Sequence, residues 1–136
     1  MCTTLRMATR AVNQVYDTAL ASAGLRATGY TILARLGGDG PMSITELARR
    51  LTLERTTCSR ELQPLVGAGL VELRPGGDRR RRVAHLTPAG EARLASAHPS
   101  WRRAQERVIA RFGGGETETL LAGLRELRAT AQSLTT

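Results

Sequence analysis

Apolar positions recur three and four residues apart over most of the chain, and the places where this spacing breaks mark its organisation. Leu5, Ala8, Val12, Val15, Ala19 and Ala23 form one stripe, which predicts a helix over residues 3–23 closed by Gly24. Its polar side carries Arg6, Arg10, Asn13, Gln14 and Asp17. Tyr30, Leu33 and Leu36 predict a shorter helix over residues 27–36, followed by a plain loop at Gly37-Gly38-Asp39-Gly40-Pro41. Ile44, Leu47, Ala48 and Leu51 give a third stripe. Ser43 and Glu46 open it with the S-x-x-E pattern of a capping box, in which each side chain satisfies an amide of the other's backbone. After a turn at Thr52-Leu53, the residues Cys58, Leu62, Leu65 and Val66 share the inner face of a helix over about 54–67. Glu54 is a weak N-cap, Pro64 should bend the helix after Gln63, and Gly67 and Gly69 end it.

The period then changes. Leu70 to Arg74 and Arg82 to Leu86 have strand length, with Pro75-Gly76-Gly77-Asp78 as the turn between them. Thr87-Pro88 restarts a helix, because Thr caps and Pro is pre-set for the first helical position. That helix is expected over residues 88–112, kinked or broken at His98-Pro99, since an interior proline costs about 3 kcal/mol. Gly113-Gly114-Gly115 ends it. Along a last helix over residues 116–134, Leu120, Leu124, Leu127, Ala131 and Leu134 make a near-heptad seam.

Two short helices, a glycine stop and a hairpin make a winged helix-turn-helix, whose second helix fits the DNA major groove. The fold class is mainly α with a small β-hairpin wing. Projected at about 100° per residue, Thr56, Ser59, Arg60 and Gln63 fall opposite the inner face of the second helix, where they can reach base edges and phosphates. Four consecutive arginines, Arg79 to Arg82, stand at or just after the hairpin tip. A narrow minor groove concentrates negative potential and attracts inserted arginine.

Charge sharpens this picture. The 136 residues hold 20 basic and 12 acidic side chains, a net charge of +8, and every basic residue is Arg. Residues 49–82 contain nine arginines against four acids, so the excess lies on the helix-turn-helix and wing. Cys2 and Cys58 form no C-x-x-C and no even framework, which argues against a disulfide scaffold or zinc ribbon. No signal peptide is recognisable and no apolar run approaches the ~18 residues of a spanning helix, so a reducing cytoplasm is expected. With two His, no Ser-His-Asp context, no phosphate loop and no metal-ligand cluster, the chain does not read as an enzyme, and no cofactor or metal is expected.

The run Gly69-Leu70-Val71, then Asp78-x-Arg80, then Leu86-Thr87-x-x-Gly90 resembles the wing signature of the MarR family of transcriptional regulators. The resemblance extends to Gly24-Leu25, to Tyr30-Thr-Ile-Leu33 and to the two C-terminal helices, and so covers nearly the whole chain. It implies a homodimer on pseudo-palindromic operator DNA, usually released by a small ligand or by thiol oxidation. The corresponding domains are a dimerisation helix at 1–26, a DNA-binding lobe at 27–87 with its wing at about 70–87, and dimerisation helices at 88–136 that pack with 1–26. The resemblance also implies a short strand near Met42 that pairs with the wing. The candidate DNA contacts are Ser43, Thr45, Arg55, Thr56, Thr57, Ser59, Arg60, Gln63, Arg79, Arg80, Arg81 and Arg82. By resemblance, Asp78 braces the tip by pairing with a wing arginine. The candidate effector residues are Tyr16, Tyr30, His98 and Trp101, with Arg10 to pair an anionic effector such as an aromatic carboxylate, and core packing is the bland alternative for each. Cys2 is a candidate redox sensor, whereas Cys58 reads as a small core residue. The alternative function is a winged-helix module that binds RNA or docks protein without operator specificity.

Overall fold

The computed structural model describes residues 1–78 and 80–136. They divide after Trp101 into two compact units. In the first, helix α1 (Cys2–Leu20) is followed by one tighter turn, Ala21–Ala23, and by Gly24 in the left-handed region at φ 69°. Helix α2 (Ala27–Asp39) follows, then strand β1 (Met42–Ser43), helix α3 (Ile44–Leu51) and helix α4 (Arg55–Gly67). Strands β2 (Val71–Pro75) and β3 (Arg82–Leu86) make the hairpin, and helix α5 (Pro88–Phe112) starts after it. The sheet has the order β1-β3-β2 and is antiparallel throughout, with Met42 opposite Ala84 and Leu73 opposite Ala84 on the other side.

The core of this unit is aliphatic. Leu20, Ile32, Leu33, Leu47, Leu62 and Val71 are its largest fully buried side chains, and Cys58 lies among them at 0% exposure. Side chains from distant elements tie off its helix ends. Ala27 N–H at the start of α2 donates to Asp17 Oδ1 of α1 at 2.7 Å. Arg93 Nη1 of α5 donates to Ala23 O at 3.0 Å, beside the left-handed Gly24. These bonds, with the burial of Leu20, join α1 to the winged part, so the division at 101/102 differs from the sequence boundaries at 26/27 and 87/88.

Several local expectations are corrected. Helix α2 runs on through Gly37, Gly38 and Asp39, and Gly40 ends it at φ 83°. A glycine pair favours a loop, but Asp39 is held by Arg35 one turn earlier and by Arg50 of α3. The capping box is half made: Ser43 Oγ accepts from Glu46 N–H at 3.1 Å, while the Glu46 carboxylate turns to Arg49 and Arg50. Val66 is 36% exposed rather than part of the inner face. Finally, α5 runs across Pro99 without the break that the proline allowed. Beside it the His98 and Trp101 rings stack and Ala97 is fully buried.

The second unit, residues 102–136, holds the end of α5 and helix α6 (Gly114–Ser133). Gly113 caps α6 at φ 114°, a value that suits glycine, and both Thr117 N–H and Thr117 Oγ1 donate to its carbonyl. Gly114 and Gly115 therefore begin a helix instead of ending one.

Candidate nucleic-acid interface

Helix α3 begins at a cap and ends in a strained turn. Thr52 adopts φ 54°, the one non-glycine left-handed residue among those described, and this reverses the chain within three residues. Arg55, first in α4, sends Nε to Thr45 Oγ1 at 3.2 Å and so ties the two helices together. On α4, Cys58, Leu62 and Leu65 are buried, while Thr56, Arg60 and Gln63 are exposed and Thr57 and Ser59 half-buried. The polar face deduced from the helical projection is therefore the face that α4 leaves open.

The hairpin tip closes on itself. Gly76 N–H donates to Arg81 O at 2.8 Å and Arg81 N–H to Asp78 O at 2.9 Å. Asp78 does hold the tip, but through the backbone, its Oδ1 accepting from Arg80 N–H at 3.3 Å. Among the described residues the ion pairs include none from Asp78 to Arg80, Arg81 or Arg82. Arg79 lies outside the described residues. Arg80, Arg81 and Arg82 are exposed, and Arg82 sits in β3 opposite Pro75.

Wing and helices meet in a groove of about 600 Å³, lined by Thr45, Glu46, Arg55, Asp78, Arg80, Arg81 and Arg82. Ser43 also borders it, but it is only 7% exposed, and its Oγ accepts the cap bond from Glu46 N–H. Glu46 and Asp78 are the acids in this basic groove, and hydrogen bonds from Arg49 and Arg50 hold the Glu46 pKa down at about 2. Sequence reasoning missed these two arginines and Asp39, which form the chain Arg35–Asp39–Arg50–Glu46–Arg49 across α2 and α3. Their (i, i+3) and (i, i+4) spacing to Glu46 was the available signal.

The candidate effector residues separate into two places. Trp101 stacks with Tyr30, His98 and Tyr16 at centroid distances of 5.4, 5.8 and 6.2 Å. Tyr30 Oη lies 2.9 Å from His98 Nδ1, and burial raises the pKa of both tyrosines. Tyr30, His98 and Trp101 line an open cavity of about 960 Å³ with Leu86, Leu94, Arg35, Asp39 and Glu91. Arg10 is elsewhere, in a polar cleft with Arg6, Asn13 and Arg26, and Arg35 is the arginine at the aromatic cavity. Of the cysteines, Cys2 is exposed and Cys58 buried, with burial and the Glu61 charge pushing the Cys58 thiol up.

These elements define the class, a winged helix-turn-helix protein with a basic face. A family described as a helix-turn-helix domain matches residues 30–74. The chain is similar to the M. tuberculosis transcriptional regulator MosR, solved in complex with DNA, at 34% identity and a TM-score of 0.88 over 98% of this chain and 96% of that one. It is 30% identical over 99 residues to the HTH-type transcriptional repressor NicR of Pseudomonas putida, a match spanning 72% of this chain and 63% of that protein's length. Its fold is shared with a cysteine-to-serine mutant of E. coli MarR complexed with operator DNA, at 21% identity and a TM-score of 0.81 over 90% and 89% of the two chains. The chain belongs to the MarR family of winged helix-turn-helix transcriptional regulators. No helix among the described residues is long and apolar enough to cross a membrane.

Proposed function

We propose that the protein is a homodimeric repressor that binds a pseudo-palindromic operator duplex and is released by a small aromatic ligand. The observation that carries the reading is the open polar face of α4 beside an arginine-lined groove. Thr56, Arg60 and Gln63, with Thr57 and Ser59 at the margin, suit base edges and phosphates in the major groove. Thr45, Arg55, Arg80, Arg81 and Arg82, with Arg79 by sequence, suit the backbone and the flanking minor groove. The repressor role is supported by the name of NicR.

Two copies would set two recognition helices in successive major grooves. Dimerisation through α1, α5 and α6 is supported by the apolar side chains they expose, among them Met7 and Val12 of α1, Phe112 of α5, and Leu120 and Leu121 of α6. Such surface asks for a partner, and a two-fold copy is the simplest one. Release by a ligand is supported by the aromatic cavity. Thiol oxidation has less behind it, because the raised pKa of Cys58 is the reverse of what a reactive thiolate needs, which leaves the exposed Cys2.

The test is a pair of substitutions read on operator and scrambled duplexes. Arg60→Ala and Gln63→Ala should each cost about 1–3 kcal/mol on the operator and less on scrambled DNA. Equal losses on both would make these residues phosphate contacts. An RNA duplex of the same sequence should compete poorly, since its deep, narrow major groove does not admit a helix. Equal competition would favour the RNA-binding alternative.

A further inference from the structure

One side of α1 is basic and borders a cleft. Arg6, Arg10 and Asn13 line this space of about 630 Å³ with Arg26, Ala27 and Thr28 from the start of α2. Asp17 is the acid in the lining, and it is already engaged: its Oδ1 accepts from Ala27 N–H at 2.7 Å and its Oδ2 lies 3.8 Å from Arg26 Nη2. Three guanidiniums thus face one carboxylate. Among the described residues the ion pairs include none from Arg6 or Arg10. These two stand four residues apart on one helix, where like charges are destabilising. Such a pair calls for an anion from outside the chain.

The cleft leads to the recognition helix. A smaller hollow of about 180 Å³ shares Asn13, Ala27 and Thr28 with it and ends on Leu51 and Leu53, at the turn before α4. Arg55 opens α4 just after that turn and lines the wing groove. The start of α4 is therefore reached by two arginine-lined grooves, one from the wing and one from α1. The apolar side of α1 lies elsewhere. Projected at about 100° per residue, the exposed Val12 and Val15 fall opposite Arg6, Arg10 and Asn13, so a second copy seated on the valines leaves the arginines open.

We propose that Arg6, Arg10 and Arg26 bind backbone phosphates of the operator duplex, as a second phosphate-holding surface besides the wing. The inference deepens the operator-binding reading and rests on it. A guanidinium fork matches phosphate oxygens two at a time. Phosphate contacts fix register and orientation without reading sequence, so these residues hold the duplex while Arg60 and Gln63 read it. The assignment replaces the aromatic carboxylate that the sequence suggested for Arg10.

The test is a salt titration of operator and scrambled duplexes with the full chain and with Arg6→Ala, Arg10→Ala and Arg10→Lys. Each alanine variant should lower the slope of log affinity against log salt by about 0.9 per protomer, and should weaken both duplexes by the same factor. Arg10→Lys should keep the parent slope. The alanine variants lose a like-charge repulsion and gain a good helix former, so they should melt no lower than the parent. Their mass by light scattering should match the parent's, which separates lost phosphates from lost assembly. Arg26→Ala, with a side chain 84% exposed on a different element, repeats the test away from α1. Unchanged slopes in all three alanine variants, with the parent bound to its operator, would overturn the phosphate assignment and leave the operator reading standing. A loss confined to the operator would make these residues base readers and overturn it as well. A parent that binds neither duplex would overturn both. Inorganic tripolyphosphate is the last probe: unchanged DNA slopes with tripolyphosphate binding lost in the alanine variants would give the cleft to a free polyanion instead.

Discussion

The backbone of Gly90 runs against the carbonyl oxygen of Leu70 so closely that a Cβ placed on Gly90 would overlap it, and would press on Leu86 Cδ1 as well. This is the junction where the wing becomes α5. Thr87 fastens it from three sides: its N–H donates to Leu70 O, its Oγ1 donates to Gly69 O at 2.6 Å, and that Oγ1 accepts from Gly90 N–H. The Leu86-Thr87-x-x-Gly90 motif is therefore a weld between sheet and helix.

Gly90→Ala should lower stability by about 1–3 kcal/mol, the usual cost of overpacking. Gly38→Ala is the control. It lies within α2 with nothing near its missing Cβ, and it should be neutral or stabilising by up to about 1 kcal/mol. Thermal melts of the two variants check this, and equal melting of Gly90→Ala and parent would remove the steric reading.

Much of this was readable beforehand, and the rest has a physical reason. The stripe of α3, the stripe of α4 apart from Val66, the turn at Thr52-Leu53 and the hairpin all follow from local spacing, and the structure keeps them. The glycine run after Leu36 misled because the partner that fixes Asp39 is Arg50, eleven residues away on another helix. Which arginine faces the aromatic cavity was likewise invisible. Arg10 and Arg35 look alike in sequence, and only the packing of α2 separates them. At Pro99 the helix does not break, and next to it the rings of Tyr30 and His98 stack on Trp101.

Arg80→Ala and Asp78→Ala give opposite tests of the wing. Losing one phosphate neutralisation should lower the slope of log affinity against log salt by about 0.9 for Arg80→Ala. Its preference for A·T-rich flanks should fall as well. Asp78→Ala removes a negative charge from the DNA face, so simple attraction would tighten binding. It also frees the Arg80 N–H that shapes the tip, and weaker binding is expected. Tighter binding by Asp78→Ala in the same salt titration would show that the tip needs no such support.

Light scattering should return a dimer, twice the 14.7 kDa of one chain. Leu120 is 47% exposed in the single chain, so Leu120→Asp should leave each chain folded while costing the assembly a buried, unpaired charge. A monomer mass for the parent, or an undisturbed dimer for the variant, would move the interface off this part of α6.

Glu46 supplies an acid-dependent prediction. Hydrogen bonds from Arg49 and Arg50 lower its pKa from 4.5 to about 2. A carboxylate depressed in the folded state stabilises fully above its unfolded pKa and loses that contribution as pH falls through the folded one. The melting temperature should therefore decline across the interval from 4.5 to about 2 more steeply in the parent than in Glu46→Gln. Parallel declines would mean that the network contributes nothing to stability.

The exclusive use of arginine has a consequence for how the protein meets its environment. A guanidinium keeps its proton at any pH a folded protein survives, and a lysine would not. Glu46 is likewise ionised until the solution is strongly acidic. The charge pattern facing the nucleic acid is thus indifferent to alkalinity and offers no lysine for acylation. Of the ordinary solution variables, ionic strength is the one left to loosen its grip.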